Sequence, residues 1–279
     1  MNRGRQGSFA SGGYTVIETL IFLAVSSLIF VSAVLLVGGR EARAEFQSGV
    51  RNFETHLVDV ANDVSTGYYK SIGKSKQCSA LASGPDFSSP TDSPLGKNLN
   101  CVFVGTVLKL GEGGDRAKYV QYTMAGLRQN GGENVTDLTQ AKPKVLDNGT
   151  GFPTSEFGYG IRVACIAVEG VNGGACMPDE NMAIGFFTTF EGASLAGQGG
   201  GSVQADVINY GSLATVIQSA DNTKTALNGY SGYGSVPFNK QITICLVGGS
   251  RQHALVQIGG NASSSLSVTS EIKEGVSCS

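Results

Sequence analysis

The 279-residue chain has no Trp, 7 Pro and only two His, His56 and His253, and 15% of its residues are charged. Two distant imidazoles supply no H-x3–5-H arm, and no Cys pair has the C-x-x-C spacing, so zinc and thioredoxin-like sites are not expected. Also missing are G-x-S-x-G, a P-loop, a Rossmann G-x-G-x-x-G after a strand, and H-E-x-x-H. Without a nucleophile elbow, a phosphate cradle or a zinc helix, we expect no enzymatic activity, no cofactor, no metal and no small-molecule substrate. Net charge is −2, from 20 basic and 22 acidic residues, which gives no global attraction to nucleic acid. No Cys precedes residue 78.

What is abundant is glycine, 40 residues, set among 41% hydrophobic ones. The glycines follow no G-X-Y period, so a packed, loop-rich chain is expected rather than collagen or low-complexity sequence. Six Cys stand at 78, 101, 165, 176, 245 and 278. An even count without metal spacing reads as disulfides and places that part of the chain in an oxidising compartment. Sequence proximity favours Cys78–Cys101, Cys165–Cys176 and Cys245–Cys278, each closing one loop or hairpin, among the fifteen connectivities that six cysteines permit.

The N-terminus carries the most information. Residues 1–13, MNRGRQGSFASGG, are polar and basic through Arg3 and Arg5; from Thr15 to Gly39 the only charge is Glu18. The run TLIFLAVSSLIFVSAVLLVGG after it is 21 residues long without a charge, enough at about 1.5 Å per residue to span a bilayer core of roughly 30 Å. Arg3 and Arg5 on one side, against mixed charges at Arg40, Glu41, Arg43 and Glu45 on the other, place the leader in the cytoplasm and export the chain beyond residue 40. A cleaved signal peptide would have a shorter apolar stretch and no Glu18, although Ala42-Arg43-Ala44 has the small-x-small form of a cleavage site. A plain signal anchor would leave that carboxylate unexplained, at a cost of about 2.5–3.5 kcal/mol near the bilayer centre.

The string Gly13-Tyr14-Thr15-Val16-Ile17-Glu18-Thr19-Leu20 resembles the class III signal of type IV pilins and type II secretion pseudopilins. That signal joins a basic leader ending in Gly, an aromatic new N-terminus, a T-[LV]-[IV]-E segment and an uninterrupted apolar helix. The resemblance implies cutting between Gly13 and Tyr14 by a prepilin peptidase and methylation of the new amine. It also implies that Glu18, the fifth mature residue, pairs with the α-amine of Tyr14 on a neighbouring subunit, because a carboxylate in hydrocarbon needs a cationic partner. Other pilin or pseudopilin subunits, the peptidase and, before assembly, the membrane are the partners it implies.

Beyond Arg40, Phe46, Val50, Phe53, Leu57, Val60 and Val64 step by three and four, a one-faced helical stripe. Ser65-Thr66-Gly67 supplies a stop. A helix from Tyr14 to about Thr66, roughly 80 Å long, is therefore expected, its stripe packed on a head domain and His56 on its solvated side. Many major pilins kink their apolar half at a Pro; Leu35 stands near where one would be, and Gly38-Gly39 is the weak point here. After residue 67 come short β-type runs: 102–110, 118–124, 160–167, 183–190, 203–210, 241–247, 254–258 and 266–269. We expect an α+β chain comprising a leader at 1–13, a stalk helix at 14–66 with a transmembrane part at 15–39, and one exported head at 67–279. The head should be mainly antiparallel β, with the amphipathic half-helix laid on one face.

Residues 241–259, QITICLVGGSRQHALVQIG, are similar to the closing hairpin of the H-type pseudopilin and FimT-like minor pilin family. That family sets several Arg or Lys around the turn, where this chain offers Arg251 and His253, with Lys240 a strand away. Removing the leader takes away Arg3 and Arg5 and moves the charge from 20 − 22 = −2 to 18 − 22 = −4. A structural subunit, minor pilin or pseudopilin, is thus the first expectation. A DNA-binding minor pilin for uptake is the second, and a membrane-anchored adhesive protein that never polymerises is the third.

Overall fold

In the computed structural model the described residues are 15–67, 76–90, 100–146, 151–170, 174–177, 182–190, 202–209, 219–233, 240–249, 252–259 and 266–274. The chain divides into two units, Met1–Ala44 and Glu45–Ser279. The first contains the start of helix α1 (Val16–Thr66), whose stretch Val16–Val34 is long and apolar enough to cross a membrane. No Pro or Gly interrupts that stretch, and Leu20, Leu23, Ala24, Leu28 and Ala33 are good helix formers set among its β-branched residues. Two of its three serines donate their hydroxyls back to the helix, Ser27 to the Leu23 carbonyl at 2.7 Å and Ser32 to the Leu28 carbonyl at 2.8 Å. Neither hydroxyl therefore needs water.

The second unit holds the end of α1 and the β-rich domain. The expected stop is there: Gly67 has φ 69°, in the left-handed region, and its N–H donates to the Val64 carbonyl at 3.1 Å. Strands β1 (Lys76–Leu81) and β2 (Gly84–Pro90) form a hairpin. A six-stranded sheet runs in the order β11-β10-β3-β4-β7, with β8 also on β4. Its members are β3 (Cys101–Leu110), β4 (Lys118–Leu127), β7 (Lys144–Val145), β8 (Thr154–Glu156), β10 (Met182–Thr188) and β11 (Val203–Asn209). Between β4 and β7 lie a two-stranded hairpin, β5 (Gln129–Asn130) with β6 (Glu133–Asn134), and the short helix α2 (Leu138–Ala141). A four-stranded sheet has the order β14-β13-β12-β9, from β9 (Arg162–Val168), β12 (Ile242–Val247), β13 (Gln252–Ile258) and β14 (Val268–Glu274). Every pairing among the described strands is antiparallel. Each of the eight expected β-type runs overlaps an observed strand, the last by two residues only, since β14 starts at Val268 rather than at 266. The β1–β2 hairpin, the short strands and two helices are not among the expectations.

The stripe Phe46, Val50, Phe53, Leu57, Val60 and Val64 is buried as expected. It joins one core cluster with Leu108, Leu110, Ile184 and Phe186 of the six-stranded sheet and Ile166, Ile244, Leu246 and Val256 of the four-stranded sheet. The helix therefore serves two sheets rather than lying on one face of a single layer. Two glycines permit the close approach. A Cβ on Gly49 would lie 2.4 Å from Ile161 Cδ1, and one on Gly248 would lie 2.5 Å from Phe46 Cδ2. Phe53 stacks edge-on against Phe157, 4.9 Å between ring centroids. The six-stranded sheet buries its other face too, in a second cluster of Val107, Tyr122, Met124 and Phe187 against Leu138 of α2 and Leu227 of α3 (Ala220–Gly229).

Candidate functional site

Glu18 sits in the first turn of α1, and the local sequence sets its geometry. Thr15 is the residue before the helix and Glu18 the third within it, the spacing of a capping box. The Thr15 N–H and hydroxyl both donate to Glu18 Oε2, at 2.9 and 3.0 Å, and the Glu18 N–H donates to Thr15 Oγ1 at 3.3 Å. Two orphan donors at the helix start are satisfied reciprocally, and the helix dipole favours the negative charge there. Sequence reasoning placed Glu18 but missed Thr15 as its holder, although T-x-x-E was legible. Gly13 and Tyr14, the expected processing junction, lie outside the described residues.

From Val16 to Val34 the side chains are exposed all round, Phe22 and Leu28 by 71% and 72%. So large an apolar surface is not stable in water and marks contact with lipid or other protein. A single candidate span is found among the described residues.

Two of the expected disulfides are present: Cys78–Cys101, with Cα atoms 6.1 Å apart, and Cys165–Cys176, 5.5 Å apart. The first ties β1 to β3 and the second ties β9 to the segment after it. Cys245 is also disulfide-bonded, and its expected partner Cys278 lies outside the described residues. The described residues include no group of His, Cys, Asp or Glu able to hold a metal ion.

At the closing hairpin, β12 and β13 pair from Ile242 opposite Ile258 to Val247 opposite His253. Lys240 precedes β12 and so lies at the other end of the hairpin from His253, about 20 Å away at the usual rise per strand residue. The structure does not bring these two together. It sets two cations beside His253: Lys273 stands opposite His253, and Val247, opposite His253 on its other side, faces Arg162. Arg162, His253 and Lys273 thus share a row across one face of the four-stranded sheet, with Lys273 ion-paired to Glu271 at 3.0 Å. Sequence reasoning missed Arg162 and Lys273, which neighbour His253 only through strand register. Arg251 lies outside the described residues.

His56, expected on the solvated side of α1, is instead half-buried, its ring 5.2 Å from that of Tyr119. Burial holds its pKa below the ordinary 6.5, against the pull of Asp59 and Asp63. Asp63 in turn is raised above 3.8, by burial first and the Asp59 charge second. No family model, no curated protein and no solved structure matches the chain.

Proposed function

We propose that the chain is a pilin-like structural subunit, a minor pilin or pseudopilin of a type IV pilus or type II secretion-like filament. The observation that supports it most is the division of labour along α1: an apolar stretch exposed on all sides, carrying one capped carboxylate at its start, continues as a helix whose apolar stripe is buried among β-sheets. A helix so divided has one part for lipid or like helices and one part for holding a globular head. In this reading the leader 1–13 stays cytoplasmic, the head is exported, and the disulfides suit that compartment. Filament assembly would exchange the lipid around Val16–Val34 for neighbouring helices. Glu18 would then set register by pairing with the Tyr14 amine of an adjacent subunit, a charge pair strong in hydrocarbon and costly when broken.

The test is the mature N-terminus. Mass spectrometry of the protein from a cell containing a prepilin peptidase should find a methylated Tyr14; a chain starting at Glu45 or an intact Met1 overturns the assignment. Glu18→Ala and Glu18→Leu should leave the membrane-bound precursor present and sharply reduce its incorporation into filaments.

The row Arg162, His253 and Lys273 favours one second reading, a DNA-binding minor pilin. Arg162 and Lys273, the second already paired, supply about two units of salt dependence, and the mature charge is −4 (18 − 22). Duplex DNA affinity of the head is therefore expected at non-specific levels, about 10⁻⁴ M or weaker at physiological salt. Micromolar binding lost in Arg162→Ala or Arg251→Ala would move the uptake reading to first place.

A further inference from the structure

Strand register places a third cysteine beside the Cys165–Cys176 bond. In the antiparallel pair β9–β12, Cys165 stands directly opposite Cys245. Opposed residues of such a pair share a sheet face with Cα atoms about 4.5–5.5 Å apart, inside the roughly 4.4–6.8 Å that a disulfide spans. The present partner of Cys165, Cys176, has its Cα at 5.5 Å, so ladder spacing puts Cys245 within disulfide reach of Cys165 as well, next to the register shift between Cys245 and Leu246. Access differs. Cys165 and Cys245 are buried, 8% and 1% exposed, whereas Cys176 is half-buried and comes after the exposed Gly174 and Ala175. The segment carrying Cys176 is also held without its disulfide, because Met177 and Ile166 exchange two backbone hydrogen bonds of 2.9 and 3.0 Å.

We propose that Cys165 is a thiol–disulfide exchange point that passes between Cys176 and Cys245, driven by an external thiol such as glutathione or a thioredoxin-fold oxidoreductase. The thiolate of that reagent attacks the exposed-side Sγ of Cys176, forming a mixed disulfide and expelling the Cys165 thiolate, since access decides which sulfur is attacked. The Cys165 thiolate then attacks Sγ of Cys245 across the strand pair, forming Cys165–Cys245 and expelling the thiolate of the former partner of Cys245. Two disulfides and one thiolate enter, and two disulfides and one thiolate leave, so no net oxidation occurs. The strand pair already holds the new bond's ends in place, and the Ile166–Met177 bridge keeps the released segment seated. The exchange thereby changes what is tied to β12 without unfolding the sheets, and it does so whether or not the chain polymerises.

The full chain, treated under native conditions with a low concentration of reduced glutathione, alkylated and digested with trypsin plus a Glu-specific protease, tests this. Cutting after Glu169 separates Cys165 from Cys176, which otherwise share one tryptic peptide. The expected result is one new cross-link, Cys165–Cys245, that grows as the native Cys245 cross-link is lost, with glutathione on Cys176. Glutathionylated Cys176 beside an alkylated Cys165, with the native Cys245 cross-link intact, overturns the proposal; so does a statistical mixture of pairings like that obtained in urea. Cys176→Ser gives a second measure: when the variant is folded first and then alkylated in urea without reductant, Cys165 should stay unmodified because it is bonded to Cys245. An alkylated Cys165 there overturns the exchange. Should that variant not fold, the glutathione experiment on the native chain decides alone.

Discussion

The two stretches of α1 use the same residue types to opposite ends. Phe30, in the first, is 70% exposed; Phe53, in the second, is 4% exposed and touches two other aromatic rings. Both lie in one continuous helix, so helix propensity does not distinguish them. The difference lies in the period of the apolar residues. In the first stretch they occur on every face, and no single neighbouring surface within the chain could cover them all. In the second they recur at three and four, leaving Asn52, Asp59 and Asn62 to solvent. An all-round apolar helix takes its solvent from outside the chain, while a striped one takes its partner from within it.

Truncating one ring in each stretch should separate the two most sharply. Phe53→Ala should destabilise the head by about 3–5 kcal/mol, through lost burial and the cavity left among Phe157, Tyr119 and its neighbours. Phe30→Ala should leave the head's unfolding midpoint unchanged. Denaturant unfolding of both variants in detergent, followed by near-ultraviolet dichroism of the tyrosines, separates them; equal effects would mean that the first stretch also contributes to the head's core.

A smaller effect should come from the close approach of α1 to the β domain. Gly49→Ala forces Ile161 and Tyr159 away from the helix, at about 1–3 kcal/mol. Gly38→Ala, at the end of the charge-free run, should raise helix propensity instead. The same unfolding measurement, read as a fall for Gly49→Ala without a fall for Gly38→Ala, would locate the requirement for glycine in packing.

The smallest effect should appear in the pH dependence. Burial depresses the folded-state pKa of His56, so between that value and the ordinary 6.5 the unfolded chain binds more protons than the folded one. Stability is then complete above about pH 6.5 and declines as the pH falls through the folded value. Asp63, raised above 3.8, acts in the opposite sense: folded stability is gained as the pH falls through its folded value, because the folded state binds its proton more tightly. His56→Gln should therefore flatten the stability profile between pH 7 and 5, and Asp63→Asn should steepen the decline below it. A profile unchanged by His56→Gln would show that its ring is solvated after all.

Much of the architecture was legible because it is local. The helix and its stop at Gly67 follow from spacing within a few turns, the eight principal strands from β-branched runs, and the two observed disulfides from cysteines 23 and 11 residues apart. Helix α3 was not legible. Its sequence, ADNTKTALNG, has too few apolar residues to show a period, and it is marked by the Ser219 cap, whose Oγ accepts from the Asn222 N–H at 3.3 Å. The β1–β2 hairpin was missed because Ser, Pro and Gly read as loop, yet β1 is tied to the six-stranded sheet through Cys78–Cys101.

At the candidate site the same line divides local pattern from long-range placement. The charge-free run, the T-x-x-E pair that caps it and the apolar stripe beyond are encoded locally, because each depends on residues within a turn or two of one another. Folding in three dimensions is what makes the stripe serve two sheets, sets Lys240 apart from His253 while Arg162 and Lys273 join it, and turns Cys165 towards Cys245. These are matters of strand register. Register sums packing over whole sheet faces and joins residues as much as 111 positions apart, 273 − 162, so no local pattern encodes it.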